Sequence, residues 1–64
     1  METVFKIAVR EGRVVRLIYL DREGKLTERR VRILQVTSED LLAWCGKSKD
    51  YRRFRRSGIL AAEL

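Results

Sequence analysis

The run Leu26-Thr27-Glu28-Arg29-Arg30-Val31-Arg32-Ile33-Leu34-Gln35-Val36 decides the fold. It alternates, with Arg29, Val31 and Ile33 on one face and Glu28, Arg30 and Arg32 on the other, the period of two of a strand with one covered face. The parity then slips. Leu34 and Val36 continue the apolar set from the opposite parity, as a strand does when a bulge or bend carries it around a barrel corner.

Upstream, Val14-Val15-Arg16-Leu17-Ile18-Tyr19-Leu20 is β-branched and aromatic and ends at Asp21-Arg22-Glu23-Gly24, a hairpin signal. Before it, Val4, Ile7 and Ala8 recur at helical spacing, with Thr3 placed to cap the start and Gly12 to end it, so a helix is predicted over residues 2–11. Downstream, Thr37 to Asp40 reads as a polar turn. Leu41-Leu42-Ala43-Trp44-Cys45 is apolar on both parities and therefore reads as a central strand covered on both sides. Gly46 to Asp50 is a loop, Tyr51 to Arg56 a further strand, and Ile59 to Leu64 a closing strand or helical turn. The expected fold is mainly β: a single domain over residues 1–64, with a helix at 2–11 and a small barrel of about five strands over 13–64.

The 64 residues include 15 Lys plus Arg against nine Asp plus Glu, no His, no Pro and one Cys. A chain this short buries only about 60% of its unfolded surface, so its core is thin and a deep cleft is not expected. One cysteine makes no internal disulfide. Without histidine the usual zinc, triad and general-base constellations cannot be assembled, and no pair of carboxylates has the spacing of an acid and base. The chain reads as non-enzymatic, with no cofactor implied. Charges at Glu2, Lys6, Arg10, Glu11 and Arg13 break any secretory apolar core, and no run approaches a membrane span, so a soluble, cytoplasmic protein is expected.

Eleven of the basic residues are arginine, which favours planar, bidentate partners such as phosphate or carboxylate. Residues 47–64 carry a net charge of +4. Lys47, Lys49, Arg52, Arg53, Arg55 and Arg56 interleave there with Tyr51 and Phe54, the composition of a surface that stacks bases and neutralises phosphates. The competing reading is a solvated basic hairpin.

The order of these segments resembles the WYL domain family, a bacterial module with an SH3-like or Sm-like barrel. Ala8-Val9-Arg10-Glu11-Gly12-Arg13-Val14-Val15 is similar to the family's opening helix and its exit, and Ile18-Tyr19 with Asp21-Arg22-Glu23-Gly24 resembles its first hairpin. Arg29-Arg30-Val31-Arg32 resembles its Arg-x-Val segment, with Ile33 where proline is usual. Leu41 to Cys45 looks like the end of the segment that names the family, Glu39 and Asp40 standing where its Trp and Tyr would be. Arg52-Arg53-Phe54-Arg55 resembles its Arg-x-Phe-Arg segment, Ile59 falls on its closing isoleucine, and Gly58 takes the place of a further arginine. The resemblance implies a regulatory module that senses nucleic acid or nucleotide-like ligands for an attached helix-turn-helix DNA-binding domain. No such domain lies in this chain, which therefore reads as an excised fragment or a free-standing version.

Parity singles out two arginines. Arg52 shares a face with Phe54 and Arg56, and Arg29 with Val31 and Ile33; a guanidinium on an apolar parity must lie at the rim of the core, because burial without a partner is too costly. Both match the family motifs. Arg29 and Arg52 are expected to converge with Tyr19 at one end of the barrel to hold a phosphate or carboxylate; the alternative is that each pairs with an internal acid such as Glu28, Asp50 or Glu63. Arg53, Arg55, Arg56, Lys47 and Lys49 would supply a wider field, screened by salt. Trp44 and Phe54 read as core, Tyr19 and Tyr51 as wet surface, and Cys45 as a small buried hydrophobe.

The leading expectation is a ligand-sensing domain linked to transcriptional regulation that binds single-stranded DNA or RNA or a nucleotide-like anion. The alternative is a protein–protein interaction or homo-oligomerisation domain with no nucleic-acid ligand, since small barrels expose strand edges.

Overall fold

The computed structural model describes residues 1–64. Helix α1 (Glu2–Glu11) ends at Gly12, whose φ of 64° and ψ of 31° lie in the left-handed region that a Cβ would disfavour. Met1, not Thr3, occupies the N-cap position, and no side chain caps the helix. Phe5 and Ala8 form its buried seam, with Val4 and Ile7 half-buried beside them. The predicted stripe is therefore turned slightly, because Phe5 fills more of the core than either flanking residue. At the other end of the helix the Arg32 guanidinium donates to the Gly12 carbonyl at 2.6 Å, tying it to the sheet.

Strands β1 (Val14–Leu20), β2 (Leu26–Val36), β3 (Asp40–Cys45) and β4 (Asp50–Arg55) run as an antiparallel meander. A 3-10 turn at Arg56–Gly58 leads into β5 (Ile59–Glu63), which returns to pair with β1, giving the order β4-β3-β2-β1-β5. Asp21 builds the first hairpin: its carboxylate accepts the backbone N–H groups of Glu23 at 2.9 Å and Lys25 at 2.8 Å, with Gly24 at φ 80°. Thr37 builds the second, its hydroxyl accepting the Asp40 N–H at 2.9 Å.

The slip in β2 is a bulge. Ile33 pairs with Ala43 but Gln35 pairs with Leu42, so one extra residue enters β2 between them. Val31 and Ile33 are buried before it, Val36 packs partly against the core after it, and Leu34 is left outside. The resulting curvature is large. Tyr19 on β1 and Phe54 on β4 are separated by two intervening strands, roughly 14 Å in a flat sheet, yet their ring centroids lie 5.1 Å apart.

Four expectations change. The sheet is curled but open: no ladder joins β4 to β5, and the 3-10 turn bridges that side, so the barrel is incomplete. The middle strand is β2, not β3, because β5 adds to the far side of β1. Leu41, Ala43 and Cys45 of β3 are buried, whereas Leu42 and Trp44 face outward and are only half-covered. Trp44 is thus not a core residue, while Tyr19 is. The Tyr19 ring meets Phe54 edge-on and its hydroxyl accepts the Arg55 backbone N–H at 3.2 Å, which meets the phenol's polar requirement inside the core. Phe54 and Cys45 are buried and Tyr51 is exposed, as expected. No helix is long and apolar enough to cross a membrane.

Candidate functional site

The register places Arg29 and Arg52 on the inner face of the sheet. Arg29 is two residues before buried Val31, which pairs with Cys45; Arg52 pairs with buried Ala43, two residues before Cys45. Both side chains therefore flank Cys45, one from β2 and one from β4. The Arg29 guanidinium donates to the Thr27 hydroxyl at 3.4 Å, and that of Arg52 to the Ser48 hydroxyl at 3.1 Å.

Neither arginine forms an ion pair. The internal acids that could have neutralised them are engaged elsewhere. Glu28 faces Arg16 at 3.5 Å and Arg30 at 4.0 Å, Glu63 pairs with Arg16, and Asp50 accepts the Tyr51 backbone N–H at 2.8 Å. A guanidinium that meets no carboxylate keeps most of its donors available for an oxyanion.

The loop between β3 and β4 completes the cluster, turning through Lys49 at φ 51°. Burial pushes the Cys45 thiol up, but the Ser48 hydroxyl, the backbone N–H groups of Ser48 and Lys47, and the Arg29 guanidinium together outweigh it and hold the thiol below its ordinary value. Ser48, Lys47 and Arg29 thus turn four donor groups toward one sulfur. That concentration of donors, with Arg52 beside it, is an electropositive rim in want of negative charge.

Lys47, on the lining of the adjoining recess with Glu28, Arg29, Arg30 and Gly46, belongs to this rim, and Lys49 lies two residues further along the same loop. Tyr51 and Arg53 face outward on β4, where Arg53 meets Asp40 at 3.3 Å. Arg55 pairs with Asp40 across the strands and is half-buried. Arg56 lies outside β4. Its guanidinium donates to the Thr37 carbonyl at 2.9 Å, pairs with Glu2 and lies 5.5 Å over the Phe5 ring, so it clamps α1 to the β2–β3 turn. Tyr19 does not join Arg29 and Arg52 at the rim as expected, since its phenol lies in the core and accepts the Arg55 backbone N–H.

Thr27, Cys45 and Ser48 were not singled out by sequence reasoning as site residues. Strand parity could have found Thr27, which shares Arg29's face; nothing in the order of residues places Ser48 against Arg52. Gly58, standing where an arginine was expected by resemblance, has a physical reason to be glycine: a Cβ there would lie 2.7 Å from the Leu20 carbonyl oxygen and 2.9 Å from the Tyr19 ring.

The family model for the WYL domain matches residues 3–64. Among solved structures, the chain is similar to proteasome accessory factor B/C (PafBC) of Arthrobacter aurescens, with 30% identity and a TM-score of 0.82 over 97% of this chain. It covers 10% of that protein, so it spans about a tenth of its solved neighbour's length. No curated protein sequence matches the chain. With the motifs in order, the curled five-stranded sheet and the family match over nearly every residue, the chain belongs to the WYL domain family.

Proposed function

We propose that this domain is the ligand-sensing part of a bacterial transcriptional regulator, and that its ligand is single-stranded nucleic acid or a nucleotide-like anion held at Arg29 and Arg52. The observation that carries the reading is the pair of inner-face guanidinia that meet hydroxyls and no carboxylate. A phosphate or carboxylate of the ligand supplies the missing charge. Lys47 and Lys49 extend the field. With Arg53 and Arg55, beside Tyr51, they attract a polyanion, while the inner pair selects the group that is bound. The domain acts by binding, without catalysis, and transmits the bound state to a DNA-binding partner, a helix-turn-helix domain in the family's usual arrangement. Location in the cytoplasm follows from that role.

Fluorescence anisotropy with a short labelled single-stranded oligonucleotide tests the reading. The wild-type domain binds, and Arg29→Ala and Arg52→Ala each weaken binding at least about tenfold, the equivalent of one charge-assisted hydrogen bond. Equal affinity in both variants overturns it.

A second reading, an association domain with no nucleic-acid ligand, is favoured by one feature: Leu60 on edge strand β5 is 56% exposed, close to exposed Leu20 and Leu26 on the adjoining hairpin. Light scattering separates the two. A stable oligomer with no affinity for the oligonucleotide supports association.

A further inference from the structure

The outer face carries a feature that the inner rim does not explain. Across four strands, one row of the sheet reads Tyr51, Trp44, Arg32, Val14, each pairing with the next. Tyr51 is 58% exposed and Trp44 half-covered, in a domain that needs its large apolar side chains inside. The two rings lie 5.0 Å apart with planes 70° from each other, so they form a corner in which a flat ring meets one face-on and the other edge-on.

The surroundings are cationic. Arg32 lies directly opposite Trp44, Arg30 is two residues along β2 on the same face, and Arg53 is two residues along β4 from Tyr51. Arg32 has no carboxylate partner; its guanidinium donates to the Gly12 carbonyl. The acids nearby are Glu28, 4.0 Å from Arg30, and Asp40, 3.3 Å from Arg53. Lys47 and Lys49 in the adjoining loop add positive charge. An exposed aromatic corner bordered by arginines is complementary to a chain that alternates flat bases with phosphates.

We infer that Trp44 and Tyr51 form a second contact for single-stranded nucleic acid, stacking a base on the outer face while Arg30, Arg32 and Arg53 meet its phosphates. This rests on the nucleic-acid reading of the domain but concerns a different surface from Arg29 and Arg52. A strand that engages both would pass around the β3–β4 loop, where Lys47 and Lys49 lie.

Trp44 is the sole tryptophan, so its emission reports this corner directly. The domain is titrated with an oligothymidylate of about ten nucleotides, within the span of small single-strand-binding modules, and with an abasic oligomer of equal length. Anisotropy of labelled oligomers is followed in parallel. The thymidylate quenches Trp44 saturably, the abasic oligomer does not, and Tyr51→Ala weakens thymidylate binding at least about fivefold, the lower bound for one stacked base. Circular dichroism of Tyr51→Ala and of Trp44→Phe, which keeps an aromatic ring, controls for folding. Binding by anisotropy with unchanged emission and full affinity in Tyr51→Ala overturns the outer site while leaving the inner one standing. No binding at all overturns both. Quenching by polyglutamate but not by thymidylate overturns the site in favour of an acidic polypeptide.

Discussion

Arg29 and Arg56 belong to the same residue type and both are ligand-binding candidates by sequence, yet the fold uses them in opposite ways. Arg56 is matched in full: a carbonyl, a carboxylate and an aromatic face meet its guanidinium. Arg29 meets one threonine hydroxyl and a thiol. The difference comes from position. Arg56 leaves β4 at a turn that faces α1, where Glu2 and Phe5 are within reach; Arg29 stays on a strand whose nearest acids are taken by Arg16 and Arg30. A matched arginine contributes to stability and an unmatched one retains its capacity to bind.

The largest expected effect tests whether a third arginine could join the unmatched set. Gly58→Arg would place a Cβ 2.7 Å from the Leu20 carbonyl oxygen and 2.9 Å from the Tyr19 ring, the first a backbone atom and the second part of the buried core. Overpacking against backbone is expected to cost about 3 kcal/mol or more, read as a lower urea midpoint. Gly58→Ala shifts it in the same direction by less. An arginine accommodated there without loss of stability would show that the 3-10 turn yields, and that the tight approach to Tyr19 does not limit this position.

Next in size is the exchange between the two classes. Arg56→Ala should destabilise the domain by about 1–2 kcal/mol, since it removes charge-assisted bonds at a half-buried site, and should leave oligonucleotide affinity within about twofold. Arg29→Ala and Arg52→Ala should do the reverse, changing stability by less than about 0.5 kcal/mol as surface-type substitutions do, while weakening binding. If Arg56→Ala loses affinity while keeping its stability, the clamp also touches the ligand and the division between matched and unmatched arginines dissolves.

Salt distinguishes the inner pair from the wider field by a smaller effect. Removing Lys47 and Lys49 together should lessen the dependence of affinity on ionic strength, by roughly 0.7 in the log–log slope for each phosphate of a single strand that is no longer neutralised. An unchanged slope would place these lysines outside the path of the nucleic acid.

Much of this fold could be read from local signals, because helix ends, hairpins and strand parity are set by neighbours in the chain. Gly12, Asp21 and the slip at Leu34 each act within a few residues, and each is found where expected. The errors concern relations between distant segments. Trp44 looked like core because its strand is apolar throughout, but burial of both faces of β3 would require a layer that 64 residues do not provide. Tyr19 looked wet because its hydrogen-bond partner, the Arg55 backbone, lies 36 residues away. The inner arginines could be found by parity, whereas their lack of acids depended on where Arg16 drew Glu28 and Glu63.

The smallest expected effect is also the closest test of how the rim is assembled. Cys45 is buried, which alone would raise its pKa, but hydrogen bonds from Ser48, Lys47 and Arg29 prevail and lower it. The folded domain therefore releases the thiol proton at a lower pH than the unfolded chain, whose cysteine titrates at about 8.5. The sign follows from linkage: this contribution to stability is present above the unfolded value and is lost as pH falls through the folded one. Wild type minus Cys45→Ala, compared by urea unfolding on either side of that window, should show stability growing with pH. Ultraviolet absorbance of the thiolate gives the titration itself, and Arg29→Ala should move its midpoint upward, because one of the groups that favour the anion is removed. A midpoint that stays in place would mean that the guanidinium does not face the sulfur, leaving its bond to the Thr27 hydroxyl as the contact that orients it.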